Sequence, residues 1–247
     1  MGLLDFFQIK RANKPLNLEW MGVDMHSHLI PGIDDGSKSL EESISLIKRL
    51  KGFGLRKLIT TPHIMTEFYK NTPEIIAEGL DLLQTALLEN GIEMEIEAAA
   101  EYYLDEVFLE KLEKGESLLT FGSNYVLVET GFFNKPQMLH EIFFALETKG
   151  YKPVFAHPER YLYLHQDQKL LDSLIDKSVS FQINLLSLTG YYSKPVKVLA
   201  EKLLERNAVK FVGTDCHNAN YLDALEGLAH CKVFEKLKKT NLINPQL

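Results

Sequence analysis

The feature that most constrains this chain is a recurrence of short apolar segments, rich in β-branched or aromatic residues and spaced about 30 residues apart. Seven can be placed: around Val23, KLITT at 57–61, MEIEAAA at 94–100, YVLV at 125–128, PVFA at 153–156, SFQIN at 180–184 and KFVGT at 210–214. Segments of this length that are apolar on both faces read as buried parallel strands.

Helical patterns fill the intervals. Ser39 with Glu42 forms a capping box ahead of a segment that places Ile44, Ile47, Leu50 and Phe53 on one face. Thr72 followed by Pro73 reads as an N-cap with proline at the first helical position, and that helix runs through Leu80, Leu83 and Leu87 to Gly91. KPQMLHEIFFALETKG stops at Gly150, and further helices are expected near 168–178, 194–207 and 221–239. Strict β/α alternation without a linker or internal repeat predicts an α/β fold, as one closed or nearly closed barrel spanning residues 21–247. An open doubly wound sheet is the competing architecture.

Residues 1–20 read as an N-terminal extension whose Leu3, Leu4, Phe6 and Phe7 offer an apolar stripe for the body, a membrane or a partner. Gly2 is followed by Phe6 where a myristoylation signal needs Ser or Thr, and no secretory signal precedes the body. No apolar run approaches the roughly 20 residues that span a bilayer, so a transmembrane protein is not expected.

Of the 247 residues, 45% are apolar and 25% charged, which suits a folded soluble chain. The formal charge of -7 disfavours nucleic acid as a partner, because phosphate backbones select basic surfaces. Two cysteines, Cys216 and Cys231, cannot build a disulfide framework, and a reducing cytoplasm fits them.

The chemistry is concentrated where strands end. The first ends with His26 and His28, the second with His63, the third with Glu101, the fourth with Glu129, the fifth with His157 and Arg160, and the seventh with Asp215 and His217. Taken singly, each motif has a plain explanation: a His-x-His pair is often half-buried packing, Asp34-Asp35-Gly36 is a turn sequence, and a glutamate after a strand is usually solvated. Together they put five of the eight histidines behind apolar strands, and imidazole with carboxylate is the donor set that divalent metals select. His140, His165 and His230 lie in helical or loop patterns and are left outside the site.

With these residues in view, DMHSH, DDG, TPH, AEYY, HPERY and TDCHN resemble, in order and over Val23 to about Thr240, the polymerase and histidinol phosphatase (PHP) superfamily. They are most similar to its capsule-type, manganese-dependent protein tyrosine phosphatase branch. The resemblance implies a distorted seven-stranded, TIM-like barrel with three divalent metals at its mouth, manganese first, with iron or zinc as alternatives. It implies one ion on His26, His28 and Asp215, with Glu101 bridging to a second that also takes Glu129 and His157. A third would take Asp35, His63 and His217, Asp35 being chosen over Asp34 because it directly precedes the glycine. Pro31 and Gly32 would let the loop turn back over the site.

The expected reaction is metal-assisted hydrolysis of a phosphate monoester, with Arg160 holding phosphate oxygens and Asp215 or His217 available to assist the leaving group. The implied substrate is phosphotyrosine in a protein, and the implied partner a bacterial tyrosine autokinase of capsule or exopolysaccharide synthesis. Tyr69, Tyr102, Tyr103, Phe132 and Phe133 either line a slot for the substrate ring or pack the rim. The family's arginine after the Asp-x-His-Asn motif is missing from TDCHNANYLDALE. Cysteine-based chemistry is excluded, because the positions six after Cys216 and Cys231 are Leu222 and Leu237, where an arginine is required. Two other readings remain, a histidinol-phosphate or other small-molecule phosphatase and a non-catalytic metal-binding regulatory module.

Overall fold

The computed structural model describes residues 15–177 and 179–247. Leu3, Leu4, Phe6 and Phe7 lie outside them, whereas Leu16 and Leu18 of the expected extension are buried in the core.

The β segments in chain order are β1 (Val23–Asp24), β2 (Lys57–Thr60), β3 (His63–Ile64), β4 (Glu95–Ala98), β5 (Glu101–Tyr103), β6 (Tyr125–Glu129), β7 (Lys152–Ala156), β8 (Ser180–Asn184) and β9 (Val209–Gly213). The α-helices are α1 (Leu40–Gly52), α2 (Pro73–Glu89), α3 (Glu106–Lys114), α4 (Leu139–Thr148), α5 (Leu162–Gln166), α6 (Gln168–Ile175), α7 (Lys194–Glu205), α8 (Ala219–Leu225) and α9 (Lys232–Leu237). All sheet pairing is parallel, in a β1-β2-β4 sheet and a β3-β5-β6-β7-β8-β9 sheet.

Each of the seven expected segments carries a strand, and two further short strands, β3 and β5, lie just beyond the segments of β2 and β4, in the other sheet. Between β2 and β3, Thr61 N–H donates to the Ser27 carbonyl at 2.7 Å; between β4 and β5, Ala99 N–H donates to the Thr60 carbonyl at 2.9 Å. Past β1 and β9, Ser27 and Cys216 form a parallel bridge, with Asp215 N–H on the His26 carbonyl at 2.8 Å and His28 N–H on the Cys216 carbonyl at 3.0 Å. An α/β architecture with parallel sheets whose first and last strands are bonded past their ends is the result.

The helix signals act where the sequence places them. Ser39 Oγ accepts from Glu42 N–H at 3.2 Å, and the Glu42 carboxylate takes the Lys38 N–H at 2.9 Å. Thr72 Oγ1 accepts from Ile75 N–H at 3.4 Å with Pro73 next in line. On α1 the buried face is Ser43, Leu46, Ile47 and Leu50, one position off the face expected at Ile44. The helix expected over 221–239 is instead broken: α8 gives way to a 3₁₀ turn at Glu226–His230 before α9, and Cys231 at the junction has extended backbone. Gly227, a residue that weakens an α-helix by about 1 kcal/mol relative to alanine, sits in that tightened turn. Helix α3 has no counterpart in the reading above; Asp105 caps it through Phe108 N–H at 2.8 Å, and Gly115 ends it in the left-handed conformation.

Strand alternation sorts the core into two parts. Val23, Met25, Ile59, Ala99, Leu127, Val154, Ala156 and Phe211 form an inner cluster with Phe121, whereas Leu58, Val126, Val128, Phe155, Phe181, Ile183 and Val212 pack outward against helices. The inner set fixes what comes next. Two or four residues beyond Ile59, Ala99 and Leu127, on the same alternation, stand His63, Glu101 and Glu129.

Candidate metal centre

At the carboxyl ends of the strands, His26, His28, His63, His157, Glu101, Glu129 and Asp215 converge in a buried cage. Glu101 is its centre. Its Oε2 lies 3.1 Å from His26 Nε2, 3.4 Å from His28 Nε2 and 3.2 Å from His63 Nδ1, and its Oε1 lies 3.0 Å from His157 Nε2. Glu129 Oε1 approaches His63 Nδ1 to 3.0 Å, and Asp215 Oδ1 lies 3.3 Å from His26 Nε2 and 3.4 Å from His28 Nε2. Asp35 and His217 close one side, with Asp35 Oδ1 3.4 Å from His63 Nε2 and 3.6 Å from His217 Nε2. The nine residues singled out as ligands therefore meet, with Asp35 the half-exposed member.

The donor atoms group in space as His28–Asp35–His63–His217, His26–His28–Glu101, His26–His157–Asp215 and His63–Glu101–Glu129. These sets place His28 beside Asp35 and His63 beside Glu129, pairings absent from the sets that the resemblance implies. His63 Nδ1 is also buried without a hydrogen bond, although two carboxylates flank it, because neither lies in a bonding direction.

A polar ladder on β8 sets the tautomer of His26. Asp215 Oδ2 can only accept, so Asn184 Nδ2 donates to it at 2.6 Å; Asn184 Oδ1 then accepts from Gln182 Nε2 at 2.8 Å. Gln182 Oε1 is left to accept from His26 Nδ1 at 2.9 Å, which turns the bare Nε2 of His26 toward the cage. Asp34 does the same for His28, accepting from Nδ1 at 2.7 Å while also taking the Gly36 and His63 N–H groups at 2.9 and 3.1 Å. The Asp215 carbonyl accepts from His217 Nδ1 at 2.8 Å. Three imidazoles thus offer Nε2 inward with the other nitrogen anchored, as metal-ligating histidines do. By its donor set and this anchoring, the cage fits divalent cations.

Local backbone serves the same end. His157 and Asp215 adopt left-handed φ values of 33° and 51°, unfavourable for residues with a Cβ and held here by the surrounding bonds. A Cβ on Gly213 would lie 2.6 Å from that of His26, so only glycine lets β9 approach so closely. Gly32, at φ 76°, turns the loop after Pro31, and its N–H reaches the Ser37 carbonyl at 2.8 Å.

Without cations the cage carries its own charge. Burial opposes a charge on Glu101, but His26 and His63 hold its carboxyl well below the usual range. Burial likewise opposes charge on Asp215, and His26 and His217 hold it well below the usual range. Burial works against protonated His63, yet Glu101 and Glu129 outweigh it and the charge of His28, raising it to about 10.

Arg160 reaches the site from the 3₁₀ turn after β7. Its guanidinium lies between the Phe132 and Tyr192 rings, 4.5 and 4.4 Å from their centroids, and donates to Asp215 Oδ2 at 3.1 Å. Over the cage opens a cavity of about 380 Å³ with walls of Tyr69, Tyr103, Phe132, Met65, Phe68 and Tyr221. Of the rings considered for a slot, Tyr102 is instead packing: it is buried against Phe108, and its hydroxyl accepts from Leu119 N–H at 2.8 Å. Phe133 is 73% exposed and forms no part of the cavity wall. Cys216 is buried, and burial with Asp24 and Asp215 nearby pushes its thiol far up, which removes it as a nucleophile. His140 lies 3.0 Å from Lys177 at the surface, and His165 Nε2 meets the Glu159 carbonyl at 2.7 Å, both away from the cage.

Gln182, Asn184, Tyr192 and Tyr221 are not singled out from sequence, and Asp34 is weighed there only as the alternative to Asp35. Asp34 carried a signal, its neighbour Asp35; the SFQIN amides carried one only once alternation is counted inward from the strand.

Comparison with known proteins places this geometry. The tyrosine-protein phosphatase YwqE of Bacillus subtilis (strain 168) is 33% identical over 196 residues, covering 79% of this chain and 77% of the relative. The tyrosine-protein phosphatase CpsB of Streptococcus pneumoniae is 33% identical over 201 residues, covering 79% and 83%. A chain from the crystal structures of YwqE and CpsB, unique metal-dependent tyrosine phosphatases, superposes with a TM-score of 0.79 at 30% identity over 91% of this chain and 90% of that one. The family profile of capsular polysaccharide synthesis proteins CpsB/CapC matches residues 22–236, and the chain belongs to that family.

Proposed function

We propose that this protein is a metal-dependent protein tyrosine phosphatase whose nine clustered side chains hold three divalent ions, manganese in the first instance. The observation that carries the reading is the convergence of five imidazoles with Glu101, Glu129, Asp215 and Asp35, beside a clamped arginine, at one end of parallel strands. The finer architecture, a distorted seven-stranded barrel, rests on counting β2 with β3 and β4 with β5 as single strands, closed by the Ser27–Cys216 bridge.

Bound divalent ions supply charge neutralisation for a phosphate dianion and activation of water near neutral pH. His26, His28 and Asp215, with Glu101 shared, are the proposed first set; Glu129 and His157 complete the second; and Asp35, His63 and His217 form the third. Arg160, held flat by two rings, presents guanidinium N–H groups to phosphate oxygens in the cavity. Tyr69, Tyr103 and Phe132 wall the cavity as a ring slot would require, and a phenol leaves with less help than an alkyl alcohol because its pKa is near 10. Of the two residues expected to assist departure, Asp215 is held ionised well below the usual carboxylate range and has no proton to give, which leaves His217 where metal does not engage it.

A phosphorylated bacterial tyrosine autokinase of capsule synthesis is the proposed protein substrate, the partner that the sequence resemblance implies, in a chain of the capsular polysaccharide synthesis family. The proposed compartment is the cytoplasm, which suits the free Cys216 and Cys231, and among the described residues no helix is long and apolar enough to cross a membrane.

The test combines elemental analysis with turnover of phosphotyrosine peptides, histidinol phosphate and sugar phosphates before chelation, after it, and after manganese is returned. Phosphotyrosine hydrolysis lost and regained with metal is the expected result. A preference for histidinol phosphate would overturn the substrate, and metal-replete protein that hydrolyses no monoester would leave a regulatory module.

A further inference from the structure

We propose that a second cavity beside the cage is a subsite for the polypeptide flanking the phosphotyrosine, and that it takes a lysine or arginine side chain. The proposal rests on the phosphotyrosine reading above.

The second cavity, of about 280 Å³, adjoins the first and shares Met65, Phe68 and Tyr103 with it. Beyond these shared walls it is lined by Thr66 and Val107 and by three carboxylates, Glu67, Asp105 and Glu106. Phe68 stands at the junction and is 77% exposed, yet its turn is closed: Met65 N–H donates to the Tyr69 carbonyl at 2.9 Å, and Tyr69 N–H returns to the Met65 carbonyl at 3.1 Å. A large apolar ring is therefore held in water by an ordered turn, between two cavities. A phosphotyrosine whose phosphate reaches Arg160 and whose chain leaves the first cavity on the Phe68 side brings its neighbours across this rim.

The chemistry of the lining selects the occupant. Met65, Phe68 and Tyr103 offer apolar and aromatic surface to a long methylene stem, and the three carboxylates beyond offer ends for a cationic head. No basic residue lines this cavity, and Glu67 and Glu106 form no ion pair among the described residues. Asp105 uses Oδ1 to cap α3, and Lys111 lines a smaller adjoining cavity that shares Thr66, Tyr103, Asp105 and Val107 with this one, without itself lining the subsite. An acidic flanking residue would meet like charge here from Glu67, Asp105 and Glu106.

The experiment compares phosphotyrosine peptides of one length carrying Lys or Glu at each flanking position in turn, with para-nitrophenyl phosphate as a substrate that has no flanking chain. At one position the Lys peptide is expected to exceed the Glu peptide about fivefold in kcat/KM, the size of a partly exposed charge contact. The double variant Glu67→Lys/Glu106→Lys should abolish or invert that preference and leave para-nitrophenyl phosphate turnover unchanged. Equal rates for Lys and Glu at every position, or an unaltered preference in the double variant, would overturn the subsite while the phosphatase reading stands. Metal-replete protein that cleaves no phosphotyrosine peptide would overturn the phosphatase reading itself, and the subsite with it.

Discussion

Asn184 Nδ2 donates to Asp215 Oδ2 at 2.6 Å, so the strand that brings no imidazole or carboxylate to the cage holds one of its carboxylates in place. Asp215 sits at φ 51°, a strained conformation that this bond and the Arg160 contact help to maintain. Replacing Asn184 with Ala should weaken metal binding about 10- to 100-fold, the usual cost of losing an outer partner of a ligand. Activity titrated with manganese should shift to higher metal with kcat largely recovered at saturation. An unshifted titration would show that the ladder does not position Asp215.

The two adjacent aspartates should separate cleanly. The Asp34 side chain is buried and bonded to His28 Nδ1, whereas Asp35 points its Oδ1 toward His63 and His217. Asp34→Asn should keep metal stoichiometry at saturation and weaken affinity, because it disturbs only the orientation of His28. Asp35→Ala should lower the number of ions bound per chain. Elemental analysis after dialysis against graded manganese distinguishes them, and identical behaviour would contradict the division of labour.

Much of this division could be read from the chain, and the reasons for the exceptions are physical. His63, Glu101 and Glu129 were legible because each continues the inward alternation of an apolar strand. Gln182 and Asn184 obey the same alternation, but carboxamides at a strand end do not distinguish a polar ladder from an ordinary buried pair. Asp34 and Asp35 differ only in how the Gly32–Ser37 loop folds, which local propensity does not specify. Tyr102 and Tyr103 point to opposite sides, one to Phe108 and one to the cavity, and only a strand register near β5 separates them. The break in 221–239 turns on one glycine in an otherwise continuous apolar pattern.

The charge state of the metal-free cage gives a pH prediction. His63 rises from its ordinary 6.5 to about 10 on folding, because Glu101 and Glu129 outweigh its burial. A histidine raised on folding contributes stability that is full below pH 6.5 and lost as pH climbs toward 10. Metal-free protein should therefore lose Tm steadily over that window. Metal-loaded protein, in which a cation replaces the proton, should show a flatter profile, and manganese binding at neutral pH should release protons to the buffer. Parallel Tm profiles for the two forms, with no proton release by calorimetry in buffers of different ionisation enthalpy, would contradict this account.

Arg160 provides the sharpest separation of binding from chemistry. Its guanidinium is stacked between Phe132 and Tyr192 and bonded to Asp215, a planar arrangement that an ammonium cannot reproduce. Arg160→Lys should therefore rescue little of the loss in Arg160→Ala, which is expected to reach about 10²- to 10³-fold in kcat if the group stabilises charge mainly in the transition state. Tyr192→Ala, which removes one face of the clamp and leaves the guanidinium in place, should produce a smaller loss. Steady-state rates at saturating manganese check the series, with metal content measured on each variant so that a displaced Asp215 is not mistaken for a lost phosphate contact. A lysine variant at wild-type kcat would show that charge alone, and not the flat two-nitrogen fork, is what the phosphate meets.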